Sequence, residues 1–303
     1  MLSFNVMNKR TITLLLALVT LSYAGYGQTY AFKVLANKGT NEFKSGDVWQ
    51  PIKTGSVLKE NDEVKLGQNA YLGLVSSKGK ALEIKDVGIK SVADLLKQVE
   101  NSGSSVVQKY TDFILSSNSP EAKKNRLSAT GAVHRALPTP LNLVLPENQH
   151  SAIFNNTAII SWEGSKVEGP YVLTLRNMFD DVLQKFETAE KSFEVDFSKF
   201  PKENAIIVQV TSKTDSKEVS RQHLIKRLSP SEHENIEKSL DIIAPELAEP
   251  TALNKLILAG FYEENRLLID AITAYEEAIR LAPDVPSYAE AYEEFLIRNN
   301  ISK

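Results

Sequence analysis

From Tyr30 to about Lys90 the apolar residues come in short groups separated by Gly, Asn, Asp and Lys, with no helical repeat running through them. This pattern predicts strands over residues 30–35, 63–66, 71–75 and 81–84, with turn signals between them. The period changes at Ser91, where Asp94 three residues on suggests a capping box and Val92, Leu95, Leu96 and Val99 follow at helical spacing. Val106, Val107, Tyr110, Phe113 and Ile114 repeat that spacing over 104–115. Residues 116–139 are dominated by Ser, Asn, Pro, Lys and Arg and read as an exposed linker. Strand signals return at 141–145, 157–162, 171–176, 182–187, 192–195, 205–211 and 223–226, a regular spacing that predicts a β-sandwich. Ser229-Pro230-Ser231-Glu232 then opens a helical C-terminal part, with Ser229 as the cap and Glu232 closing a capping box.

The N-terminus modifies this picture. Lys9 and Arg10 precede an apolar run from Ile12 to Leu21 and a stretch of small residues ending at Gly27, the order of a secretory signal. The run is about half of the roughly 20 residues that span a bilayer as a helix. The expectation is therefore cleavage near Gly27-Gln28, with Met1 or Met7 as the start, and an exported, periplasmic or secreted product without a transmembrane anchor. Cysteine is absent, which removes disulfides, thiolate chemistry and a lipid-bearing cysteine together. The formal charge of -3 argues against nucleic acid as a partner.

Two stretches carry resemblances. Trp49-Gln50-Pro51-Ile52, Gly55, Leu58, Asn61-Asp62, Val64, Gly67, Tyr71-Leu72, Leu74 and Gly79-Lys80-Ala81-Leu82 resemble the FecR domain, although Asn61 stands where that family usually has Gly and Leu66 where it has Thr. The resemblance implies a periplasmic β-module and, as one alternative function, a sensory or signalling component. In the C-terminal part, Leu258, Ala259, Tyr262, Ala271, Tyr275, Ala278 and Pro283 fall on the positions that define a tetratricopeptide repeat over residues 252–285. Residues 287–299 read as its capping helix and 231–243 as the other flank. Trp162, after Ala158-Ile159-Ile160-Ser161, resembles the core tryptophan of immunoglobulin-like and fibronectin type III sandwiches. Trp49 and Trp162 are both expected in β cores.

No nucleophile elbow, zinc-protease motif, phosphate loop or calcium loop is present, and His134, His150, His223 and His233 have no ligand spacing. The adjacent carboxylates at 180–181, 263–264, 276–277 and 293–294 read as turns and solvated helix faces. No catalytic residue, cofactor or metal is therefore expected. The sequence predicts a multidomain chain: signal peptide 1–27, FecR-like all-β domain 28–90, helical segment and flexible linker 91–139, immunoglobulin-like β-sandwich 140–228 and tetratricopeptide-like helical segment 229–303. The function expected is a non-enzymatic exported scaffold or adaptor of the bacterial cell envelope that binds a protein or peptide partner. Cell-wall or glycan binding is the lower-ranked alternative, because both tryptophans are placed in cores.

Overall fold

The computed structural model describes residues 30–99, 105–129, 140–164 and 167–302. The expected signal peptide and His134 lie outside these residues. The described chain has a β-rich N-terminal region of several sheets and a helical C-terminal region.

The first eight strands are β1 (Phe32–Lys38), β2 (Asn41–Ser45), β3 (Val48–Pro51), β4 (Val57–Leu58), β5 (Glu63–Leu66), β6 (Tyr71–Ser76), β7 (Ala81–Ile84) and β8 (Gly88–Ser91). They form two antiparallel four-stranded sheets, β4-β1-β6-β7 and β3-β2-β5-β8. Phe32, Val34, Leu58, Val64, Leu72 and Leu74 fill the space between them. Sequence periodicity misses β2 and β3, because Glu42, Lys44 and Gln50 give that hairpin the polarity of a loop.

Helix α1 (Val92–Lys97) closes this sandwich, burying Val92 and Leu95. The capping box expected at Ser91 does not form. Ser91 is the last residue of β8, paired with Glu63, and Asp94 bonds Lys97 at 2.8 Å instead. Helix α2 (Ser105–Ser117) and helix α3 (Pro120–Ala129) follow. The exposed linker expected from Ser116 is thus corrected over residues 116–129: Ser119 Oγ accepts the Ala122 N–H at 3.2 Å, with Pro120 and Glu121 in the first turn. The Ser-Pro pair is the one that also opens the helix at Ser229, but Glu121 stands one position earlier than the Glu232 that closes the capping box there. Residues 130–139 of the expected linker lie outside the described part.

The second set of strands is β9 (Asn142–Leu143), β10 (Ala152–Ile153), β11 (Thr157–Glu163), β12 (Tyr171–Arg176), β13 (Val182–Thr188), β14 (Ser192–Asp196), β15 (Ala205–Ser212) and β16 (His223–Arg227). A three-stranded sheet, β14-β11-β9, faces a five-stranded one, β10-β16-β15-β12-β13. Ala158, Ile160 and Trp162 meet Leu173, Leu175, Val208 and Val210 in the shared core. Trp162 is 1% exposed, with its ring 5.4 Å from Tyr171.

Four helices end the chain: α4 (Pro230–Asp241), α5 (Ala252–Glu264), α6 (Leu268–Leu281) and α7 (Pro286–Arg298). At Ser229 the capping box forms in both directions. Ala259, Tyr262, Ala271, Tyr275 and Ala278 lie in one buried cluster, against which Leu258 packs partly buried. Pro283 is exposed, between α6 and α7. The small residues at 259, 271 and 278 let the helices approach closely, as ridge-into-groove packing requires.

That cluster extends well beyond the helices. It includes Leu35 and Ala36 of β1, Tyr71 and Val75 of β6, and Val107, Tyr110 and Ile114 of α2. Strand β6 is consequently buried along its whole length, with Leu72 and Leu74 in the sandwich core and Tyr71 and Val75 against the helices. A strand buried on both faces reads as a continuous apolar run, as Tyr71 to Val75 does. Gly73 lies within it because a Cβ there would stand 3.3 Å from Leu253 of α5 and 3.2 Å from Ala36.

Candidate functional site

Several polar groups of α5, α6 and α7 bond to the two β regions. At the start of α5, Thr251 Oγ1 accepts from Asn254 N–H at 3.1 Å, and Glu83 of β7 accepts from Leu253 N–H at 2.9 Å. A carboxylate from another strand thus sits at the positive end of the helix, where anions are favoured. On α7, Tyr288 and Tyr71 share a 2.6 Å hydrogen bond between buried hydroxyls, and Ser287 Oγ accepts from Asn37 N–H at 3.2 Å. Asp284 also pairs with Lys38.

Helix α6 faces the second sandwich in the same way. Asp270 accepts from Phe154 N–H, Asn155 N–H and Asn155 Nδ2 at 2.9, 2.9 and 2.8 Å. Thr273 Oγ1 accepts from Ile159 N–H at 3.1 Å, and Glu276 accepts from Ser161 Oγ at 2.7 Å. Strand β11 therefore turns Ala158, Ile160 and Trp162 into its sandwich and Ile159 and Ser161 toward the helix. Burial pushes the Asp270 carboxyl up to about 6, against the pull of its N–H donors. Burial likewise pushes the neighbouring Tyr262 hydroxyl up to about 12.

A buried ion pair ties the last helix to the rest. Arg298 Nε and Nη2 donate to the two carboxylate oxygens of Glu263 at 2.5 and 2.6 Å, and Arg298 Nη1 reaches Asn118 Oδ1 at 2.9 Å. Tyr275 OH and Asn299 Nδ2 also donate to Glu263, at 3.3 and 2.9 Å. Burial works against the Arg298 charge, but the contacts to Glu263 and Tyr275 outweigh it and hold the guanidinium pKa above its ordinary value. Adjacent Glu263 and Glu264 point apart: Glu264 binds Lys109 of α2 at 2.9 Å. Glu263 is thus a buried ion-pair partner, a correction to the solvated face expected for that pair.

One cleft of about 180 Å³ stays open where these elements meet. Leu35, Ile114 and Leu256 form its floor, each at most 2% exposed. One wall is the α7 stripe Ser287, Glu290, Ala291 and Glu294, spaced i, i+3, i+4, i+7. The opposite lip is the turn at Thr54 and Gly55, and the end is the α2–α3 corner with Asn118 and Lys123. Lys123 bridges to Glu294 at 3.2 Å. Sequence reading assigns 287–299 only a capping role. The α7 stripe was visible in the spacing, but its opposing lip comes from a turn more than two hundred residues earlier.

Trp49 requires a correction. It is half-buried and outside the core clusters, on the outer face of the β3-β2-β5-β8 sheet, with the Lys65 ammonium 5.6 Å from its ring. Strand β3 is an edge with Val48, Gln50 and Pro51 exposed, and the register opposite Lys44 of β2 puts Trp49 on the outer face with Lys44 and Glu63. An exposed aromatic stands at the β12–β13 turn, where Phe179 is 87% exposed. Asn177 holds that turn by accepting from Phe179 N–H and Asp181 N–H at 2.9 Å each. The adjacent carboxylates Asp180 and Asp181 belong to this turn, as the sequence suggests.

His150, His223 and His233 lie apart, in a short 3-10 turn, in β16 and in α4. His233 stacks on Phe154, with ring centroids 4.5 Å apart. Among the described residues no group of three His, Asp or Glu side chains is arranged to hold a metal ion, and no helix is long and apolar enough to cross a membrane. No protein-family model matches the chain, and no curated protein matches it.

Proposed function

We propose that this chain is a non-enzymatic exported scaffold of the bacterial cell envelope, whose helical segment works inward to hold two β-modules as one frame that binds a protein partner. The observation that carries the reading is the double engagement of the helices. Helices α5 and α7 bond to the first module through Glu83, Tyr71 and Asn37, and α6 bonds to the second through Asp270, Thr273 and Glu276. A tetratricopeptide-like pair usually offers its inner face to a peptide. Here α2 and β6 pack against the helices in one buried cluster, so the partner is assigned to the cleft and the exposed loops. The FecR-like pattern and the signal-like N-terminus support a periplasmic location. The strand order of the second module supports a fibronectin-like sandwich, a fold used widely for binding.

The reading is tested by affinity capture from envelope extract with the chain beginning at Gln28, followed by cross-linking to locate the contact. A partner that binds stoichiometrically and cross-links to the cleft or to the Phe179 turn is the expected result. Loss of a hydrolytic activity on replacing one buried carboxylate, with folding intact, would overturn it. Trp49 favours a second reading, glycan binding, because an aromatic ring on a solvated sheet face beside Lys44 and Glu63 is the arrangement sugars stack upon. Retention on peptidoglycan that is abolished by Trp49→Ala would select it.

A further inference from the structure

We infer that the cleft between α7 and the Thr54–Gly55 turn is a receptor for one basic side chain, an arginine, of a partner protein. The inference rests on the scaffold reading and names the chemistry of its partner. Three properties of the cleft converge on that side chain.

The first is size. A volume of about 180 Å³ is well below the several hundred cubic ångströms that hold a drug-sized metabolite or cofactor. It is comparable to the roughly 150 Å³ cavity that takes up one benzene. A single side chain fits, and a helix does not.

The second is the order of polarity with depth. The floor of Leu35, Ile114 and Leu256 is apolar, whereas carboxylates stand on the α7 wall above it. Leucine or phenylalanine would use the floor and leave the wall idle. Arginine uses both, laying its methylene stem along apolar surface while its charged head stays at the rim.

The third is charge. Glu294 already has Lys123 at 3.2 Å, but the exposed Glu290 one helical turn away makes no ion pair with any described residue. Among the described residues the lining carries Glu290, Glu294 and Lys123, and an incoming guanidinium supplies the cation that Glu290 faces without. Its planar fork suits bidentate capture by a carboxylate, which a lysine head cannot match. Gly55, at φ +87°, adds no side chain to the lip beside Thr54.

The test uses the chain from Gln28 with its Ile and Leu methyl groups isotopically labelled, and the probes Ac-Gly-Arg-Gly-NH2 and its citrulline counterpart, which keeps the shape and loses the charge. Thr54→Trp is designed to plug the cleft and Glu290→Lys to reverse its free charge. Both positions are exposed, and thermal melts of each variant check that folding is retained. The expected result is saturable methyl shifts at Leu35, Ile114 and Leu256, at least tenfold weaker binding of the citrulline probe, and loss of binding in both variants. Absence of cleft shifts, or equal binding of the two probes, overturns the inference. The scaffold reading is judged separately: an envelope partner captured equally by wild type and Thr54→Trp would sink the arginine receptor alone, whereas no partner captured by wild type would sink the scaffold.

Discussion

Replacing Arg298 with methionine tests whether the C-terminal helix is locked by its buried ion pair. The side chains of Arg298 and Glu263 are 11% and 5% exposed, so the substitution leaves a carboxylate out of water without its cation. Breaking a buried pair from one side costs about 3–5 kcal/mol, most of it the penalty of the stranded charge. Asn299 Nδ2 and Tyr275 OH still reach Glu263, at 2.9 and 3.3 Å, and compensate in part. The expected loss is therefore near the lower bound, about 3 kcal/mol. Arg298 also reaches Asn118, so the loss should be accompanied by faster amide exchange at the end of α2. The double variant R298M/E263M removes the stranded charge and should recover most of the stability, because an apolar pair of similar volume can replace a buried ion pair at little cost. Urea unfolding followed by tryptophan fluorescence measures both. A single variant within about 1 kcal/mol of wild type, the range of surface ion pairs, or a double variant as unstable as the single, would refute the reasoning.

Three further outcomes follow from the same contacts. Gly260→Ala places a Cβ 2.9 Å from Ile114, so it should destabilise the wild type by about 1–3 kcal/mol through overpacking, yet stabilise an Ile114→Ala background, where only the helix propensity gain remains; urea midpoints of the four chains decide the sign. The Asp270 carboxyl, raised to about 6 from 3.8, binds its proton more tightly in the folded state, so its contribution is full below the unfolded value and is lost, about 3 kcal/mol in all and about 2 of it between pH 4 and 6, as pH rises through 6. His223, lowered by burial, pulls the opposite way on acidification, so the readout is the wild-type minus Asp270→Asn difference in urea stability across pH 4–6; a flat difference contradicts the assignment. A chain ending at Leu228 uncovers Leu35, Ala36, Tyr71 and Val75, and should bind a hydrophobic dye and aggregate; a cooperative melt at wild-type temperature would show that the helices are dispensable.

Much of the fold was legible where one rule dominated. Alternation in Leu173 to Arg176 and Val208 to Thr211 points to strands that form, β15 burying every second residue, and Ser229 to Glu232 is a helix start that forms as written. Failures occur where tertiary context decides. The Ser91–Asp94 pattern has the same letters as a cap, but pairing with Glu63 keeps Ser91 in a strand. Trp49 looks like a core residue by composition, and only the register opposite Lys44 reveals its face. The cleft was least legible, since its floor joins residues 35, 114 and 256 and none of the three departs from an ordinary core pattern. What the sequence did carry was the α7 stripe, polar at 287, 290 and 294 opposite Tyr288, Tyr292 and Phe295.

The shared core changes what the helical segment can be used for. A linker between the first sandwich and the rest would let each part bind independently, with affinities adding through an effective concentration. The structure instead places β1, β6, α2 and the last three helices in one apolar cluster, so separating them exposes all of it at once. A ligand in the cleft touches the Thr54–Gly55 turn, the α2–α3 corner and α7 together, and binds the docked arrangement only. Its binding therefore adds RT ln(1 + [L]/Kd) to the stability of that arrangement, so a partner that fills the cleft strengthens the docking of the helices on the first sandwich.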